Sequence, residues 1–521
     1  MHLALLLAAP AVADVYSDTF ESGAGAWTGG EASGGVLVVT DGEAVLDLGD
    51  LATLEGTVRV RLASGDRLQV RVGEASLEAD YREDGGLALG DTLWPLPHGH
   101  LLWVPDPDPV IQPDGAWWDG GNTLHAEVWL DEPYGTWFLW WTGEMREGYG
   151  YRQIGVATSP DGAAWVETAG NPDLAIDYDL DAIDGVHVHM PTVARDDAGG
   201  WHMLYACYQN DVGNRLCHAT SPDGLAWTPQ GMALDLGAVG AFDSGSLRMP
   251  DAWRGEDGTW HLLYNGTTPD QHYGPTGYAT SEDGWTWTKH GAITADEDML
   301  QGGSVVASPY RLEQWYNVDD RFEHAWADPA DPTVWTSTGT VLEKGWADWT
   351  TQYIQAPTAW LAGPTYHFWF NAYGPGTDGS WHERIGHART VPVPGAWMDL
   401  DLAWDGATLS VTLDGATLET ALDAASGLAV WASGTAEVDH VSLAYTLLPG
   451  DDTADTSRPE TGDDSVPADD VPGDTQRDVS ARDGGGGCGC GGVPPGRPLG
   501  WPCVLSILAL VVRRARRSPC S

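Results

Sequence analysis

Polar side chains recur at alternating positions ahead of three prolines: His187 and His189 before Pro191, Ser246 and Arg248 before Pro250, Tyr353 and Gln355 before Pro357. With Ala126 as the matching reference, Asn122 and Leu124 take the same two places. Side chains of an extended strand alternate between faces, so these groups share one side, while Val188, Met190, Leu247 and Met249 share the other. A ring of imidazole, guanidinium and amide groups suits hydrogen bonding to a polyhydroxylated ligand, with Trp118, Trp117 or Trp349 as a stacking face. Seven residues before the proline stand Asp184 and Asp243. Asp119 and Asp298 match them if Ala126 and Val305 replace the proline, and Thr350 breaks the series. With Glu127, Asp184 and Asp243 could supply acid–base chemistry or cap turns at the strand ends.

The elements that must position these residues repeat about every sixty residues. Ala157-Thr-Ser-Pro-Asp-Gly, Ala219-Thr-Ser-Pro-Asp-Gly and Ala279-Thr-Ser-Glu-Asp-Gly are each closed by Trp165, Trp227 or Trp287. Serine and aspartate offer turn acceptors, and glycine takes the positive φ. Upstream lie the aromatic strands starting at Trp137, Trp201 and Trp260, and beyond these the proline strands, which makes four strands per unit. Two degenerate units follow, referenced on Val305 and Pro357. The pattern predicts five blades of a β-propeller over residues 99–393, with the stretch from His100 to Pro113 supplying the last outer strand.

The chain has 521 residues, 67 glycines, 28 tryptophans and a formal net charge of −51. That charge argues against nucleic acid or an anionic membrane as partner, since both repel it. Leu3 to Pro10 followed by Ala11-Val-Ala13 reads as a signal peptide over 1–13, with a buried first strand as the alternative. Export permits disulfides, and Cys207 and Cys217 mirror each other about the Gln209 to Asn214 turn, as a bridge or as two buried thiols. No spacing resembles a zinc site or calcium loop; no cofactor is expected, and a structural calcium stays open.

Residues 14–98 and 394–447 alternate in short runs, such as Leu68-Gln-Val-Arg-Val72 and Leu409-Ser-Val-Thr-Leu413, the texture of antiparallel sheet with one wet face. Together they resemble a single concanavalin/laminin-G-like jelly roll, a β-sandwich into which the propeller is inserted; two independent small β domains are the alternative. The fold class expected is therefore all-β. Residues 448–487 form an acidic spacer too poor in apolar residues to fold. Residues 488–521 carry Cys488 and Cys490, a short apolar stretch and an arginine cluster. This order resembles the MYXO-CTERM tail of myxobacterial surface proteins. It implies membrane sorting machinery as partner, processing at Cys488 or Cys490, and display on the cell surface (outer membrane) or release.

Residues 99–393 resemble the five-bladed propeller superfamily of arabinanases, β-xylosidases and invertases, glycoside hydrolase families 43 and 32 and relatives, in the phrase Ile154-Gly-Val-Ala-Thr-Ser-Pro-Asp-Gly-Ala-Ala-Trp165. The resemblance implies a carbohydrate ligand and cleavage by two carboxylates. In that family the acids stand directly before, or two before, an inner-strand proline. Here Met190, Met249 and Ala356, then His189, Arg248 and Gln355, hold those places. No catalytic residue is transferred, which leaves Asp184, Asp243 and Glu127 as candidates. Two functions follow: an exported glycosidase-like protein that binds and hydrolyses a saccharide, or a non-catalytic carbohydrate-binding or structural surface protein.

Overall fold

The computed structural model describes residues 14–448, apart from 21–23, 34, 83–84, 146–149, 177, 180–181, 211, 272–273, 295–301, 309–310, 377–378 and 414–415. The expected signal peptide, the expected spacer and tail beyond 448, Cys488, Cys490 and Asp298 lie outside the described residues. Apart from two short 3-10 turns, the regular structure of those described is all strand, in five sheets. None of their helices is long and apolar enough to cross a membrane.

An 11-stranded sheet draws on both ends of the chain. Its centre is a pair of very long strands, Leu51–Val72 and Gly427–Leu447, with Met398–Trp404 added beside the first. Alternating valine and leucine residues of both segments, among them Val58, Val60, Leu400 and Val438, meet in one apolar core. Both long strands turn a corner at Gly65 and Gly434, whose φ values are +111° and +102°. A Cβ on either glycine would drive into a carbonyl oxygen of the facing strand, so the bend that folds the sheet over its own core needs glycine there.

The remaining strands form five blades. Blades 1 and 2 (inner strands Asn122–Asp131 and His187–Arg195) share one sheet through a parallel bridge between Arg152 and His187. Blades 3, 4 and 5 have inner strands Ser246–Arg254, Ser304–Ala307 and Tyr353–Ala362. The outermost strand of blade 5 is Leu101–Pro105, paired with Trp381–Pro392, so the two ends of the propeller segment close the ring. Packing between blades is aromatic: Trp140, Trp201 and Trp227 cluster between blades 1 and 2, and Trp137 meets Trp369 between blades 1 and 5.

The repeated turn works through its side chains. Ser159 Oγ accepts the N–H groups of Asp161 and Gly162, while Asp161 Oδ1 accepts those of Ala163 and Ala164 at 3.0 and 2.8 Å. Ser221 with Asp223, and Ser281 with Asp283, repeat the pattern. The turns join the third and fourth strands of blades 1, 2 and 3.

Cys207 and Cys217 form a disulfide with Cα atoms 5.8 Å apart. They occupy the places that Gly143 and Gly155, or Gly266 and Gly277, hold in blades 1 and 3. There the glycines lie beneath Trp118 or Phe242, which fill the space a Cβ would need. Blade 2 has Ile183 at the position of those rings, and the bridge fills the gap.

Candidate functional site

Every inner strand is interrupted at the same point. His125, Met190, Met249, Gly302 and Ala356 all have positive φ, between +45° and +56°, and four of these strands slip register there. A left-handed backbone at four non-glycine residues is strained and must be held by its surroundings. The restraint comes from the neighbouring blade. Thr142 Oγ1 accepts the N–H of Met190 at 3.0 Å, Asn265 Oδ1 that of Gly302 at 3.0 Å, and Asn371 Oδ1 that of His125 at 3.4 Å.

Two residues further on, a second ring ties the blades together. Glu127 Oε1 accepts the N–H of Val193, Thr192 Oγ1 that of Ala252, Asp251 Oδ2 that of Val305, and Ser304 Oγ that of Ala359, at 2.7–3.2 Å. Thr358 Oγ1 donates to Glu127 Oε2 at 3.2 Å and closes the circle. Gly302-Gly303-Ser304 therefore match Met249-Pro250-Asp251, and Val305 as the blade 4 reference is two residues out. Without a proline or bulky neighbour, the Gly-Gly pair leaves no mark in the sequence.

The bulges divide the hub into two spaces. On one side is a narrow cavity lined by Glu127, Asp251 and Ser304. On the other is a cavity of about 710 Å3 lined by Arg152, Arg248, Tyr353, Gln355, Glu383 and Asn265, with Asn317, Asp319 and Asp320 on the blade 4 side. The left-handed turn also breaks strict alternation, so Met190 and Met249, expected on the packing face, line this cavity too.

The group with the most suggestive surroundings is Glu383, which lies on the third strand of blade 5 and is 7% exposed. Its Oε1 accepts Tyr353 Oη at 2.7 Å, Gln355 Nε2 at 2.9 Å and Asn371 Nδ2 at 3.3 Å. Its backbone N–H donates to Asn122 Oδ1, and its carbonyl accepts Thr123 Oγ1. Burial raises its carboxyl above the usual glutamate range, against the lowering effect of Tyr353 and Arg152. All three donors converge on the one oxygen, Oε1. Sequence reasoning missed Glu383 because it is on a third strand, outside the inner-strand register. Arg152, also on a third strand, was missed for the same reason; its guanidinium binds Glu144.

Arg248 and Gln355 line the main cavity. His187 and His189 are not among its lining residues. His189 is buried, with Nε2 3.0 Å from Asn214 Oδ1, and Asn214 passes the contact to Ser246, which also accepts Arg248 Nε. Burial pulls both histidines well below the usual imidazole range, to about 4 for His187. They stay neutral, supporting the wall rather than forming it. Asn122 ties Glu383 to Glu144.

Two of the three expected stacking faces are structural, while the third, Trp117, is exposed and does not line the main cavity. Trp118 is 2% exposed and wedged over Gly143 and Gly155 beside Trp141; Trp349 donates Nε1 to the Pro107 carbonyl and stacks on Phe370. Among the sequence carboxylates, Asp243 is buried in an ion pair with Lys289 at 2.6 Å and accepts Tyr264 Oη. Asp184 is half-buried in the turn ahead of its strand, and Glu127 belongs to the inter-blade ring. None of the three lines the main cavity.

One cluster among the described residues has metal-like donors: His98, Glu313 and His324. Glu313 Oε1 lies 3.0 Å from His98 Nε2 and 2.6 Å from Arg311 Nη2, and Tyr366 Oη bonds the other oxygen. Arg311 already neutralises the carboxylate, so a divalent ion would add uncompensated charge. The cluster fastens His98, on the segment entering the propeller, to blade 4. The next residue but one, His100, bonds Tyr81 of the sandwich at 2.8 Å.

No protein-family model and no curated protein matches the chain. Among solved structures it is similar to a glycosyl hydrolase from Bacteroides ovatus (17% identity, TM-score 0.43, 58% of this chain and 99% of that one). It is also similar to Zg3597, a family 117 glycoside hydrolase of Zobellia galactanivorans (12%, 0.44, 56% and 91%). A third is a β-1,2-mannobiose phosphorylase from Listeria innocua (13%, 0.42, 56% and 97%).

Proposed function

We propose that the protein is an exported glycosidase-like propeller that binds a saccharide in the 710 Å3 hub cavity and cleaves it with Glu383 as proton donor. The observation that carries this is the Glu383 carboxyl. It is buried on the cavity wall, raised toward the neutral form, and bonded through one oxygen by three donors from its own blade. A general acid needs that combination of retained proton and fixed direction. Arg248, Gln355 and Asn265 supply donors for sugar hydroxyls. Asp319, on the same cavity with its side chain 84% exposed, is the candidate second carboxylate. The family resemblance over residues 99–393 supports the saccharide class.

A second reading, saccharide binding without turnover, is favoured by one fact: no described residue at either place where the resembling enzymes keep their acids is a carboxylate. Incubating the whole chain with a glycan array, followed by product analysis on every bound glycan, separates the two. Release of reducing ends, abolished in Glu383→Gln, supports cleavage; retention without products supports binding only; no retention overturns both.

We also infer export, from the 1–13 leader and the tail. The Cys207–Cys217 bridge suits an oxidising exterior. Surface proteolysis of intact cells tests display; finding the whole chain in the cytosol would refute it.

A further inference from the structure

Three rings on blade 5 lead from the cavity to the outer surface. Tyr353, whose hydroxyl bonds Glu383, stands cross-strand from Tyr373; the two rings are near parallel, 20° apart, with centroids 5.3 Å apart. Tyr373 in turn contacts Trp381 at 5.7 Å. Exposure rises along the row: Tyr353 and Tyr373 are half-buried, and Trp381 is 49% exposed. The three come from the inner, second and third strands, so the row crosses the blade at its cavity end.

We propose that Tyr353, Tyr373 and Trp381 form a set of outer subsites for a neutral oligosaccharide chain whose terminal portion occupies the hub cavity. This rests on the saccharide reading of the cavity and adds the polymeric character of the ligand. Sugar rings present apolar C–H faces that pack on aromatic rings, while their hydroxyls stay in water at the rim. The row is continuous with the cavity through the Tyr353–Glu383 hydrogen bond, so a chain lying on it delivers a linkage to the carboxyl. The charge of −51 disfavours a polyanionic glycan and favours a neutral one. Each added stacking contact strengthens binding by about tenfold at most.

The test is the gain in affinity from disaccharide to hexasaccharide in manno-, xylo- and arabino-oligosaccharide ladders, measured by calorimetry on the whole chain. The wild type gains about tenfold or more along the ladder that binds. Trp381→Ala removes most of that gain, Trp381→Phe restores part of it, and Trp285→Ala, an exposed indole on an outer turn, leaves it intact. A ladder that binds equally at both lengths, or a Trp381→Ala protein that keeps the gain, overturns the subsites but not the cavity reading. Failure of every ladder and of the glycan array overturns the cavity reading and this inference with it.

Discussion

Asn122 Oδ1 accepts the backbone N–H of Glu383 at 3.0 Å, joining the first inner strand of the propeller to the third strand of its last blade. The same amide donates to Glu144 at 3.2 Å. The seam where the ring closes thus also fixes the buried Glu383 carboxyl of the main cavity.

Glu383→Gln is isosteric and keeps an acceptor for Tyr353. On any glycan the wild type cleaves, it lowers kcat by at least about 100-fold, with affinity largely retained. Because the acid must be protonated, wild-type activity falls as pH rises through its raised pKa, and this alkaline limb lies above the ordinary glutamate value. Initial rates across pH, for both proteins, check this.

Asp251 is buried in the hub ring and its carboxyl is raised to about 8 by desolvation. The folded state therefore holds a proton that the unfolded chain releases near pH 4. Stability from this group is complete below that pH and declines as pH rises toward 8. Asp251→Asn keeps the acceptor for Val305 and removes the titration. It is more stable than the wild type at pH 8, by up to about 5 kcal/mol, and the difference shrinks toward pH 5. Urea titrations at both pH values measure it.

Glu313→Gln removes the Glu313 charge from the buried Arg311, at a cost of about 3–5 kcal/mol. Adding Arg311→Met recovers much of the loss. The single and double variants, compared in thermal unfolding, form the check; equal losses would mean that the charges are not paired.

The Cys207–Cys217 bridge closes a short loop, with a sequence separation of 10. Replacing both cysteines with serine destabilises blade 2 by about 2–3 kcal/mol. Denaturant unfolding with and without reductant should show the wild type falling to the variant's level.

Trp118→Ala separates the two roles weighed for that indole. Lost packing over Gly143 and Gly155 costs about 3–5 kcal/mol in stability, whereas a stacking role would weaken glycan binding and leave the melting temperature unchanged.

Much of this architecture is written locally. The Ser-x-Asp-Gly turns, the tryptophans that follow them and the period-two apolar runs each act over a few residues, so the all-β class and the blade repeat follow from the sequence alone. The inner-strand prolines likewise put Arg248 and Gln355 in register. The fold itself decided the rest. A left-handed bulge at one point of every inner strand rotates the side chains beyond what alternation predicts, bringing Met190 and Met249 to the cavity while His187 and His189 support its wall. Glu383 and Arg152 reach the same cavity from third strands that carry no register mark. Only ring closure, which pairs residues some 260 positions apart such as Asn122 and Glu383, sets those side chains beside one another.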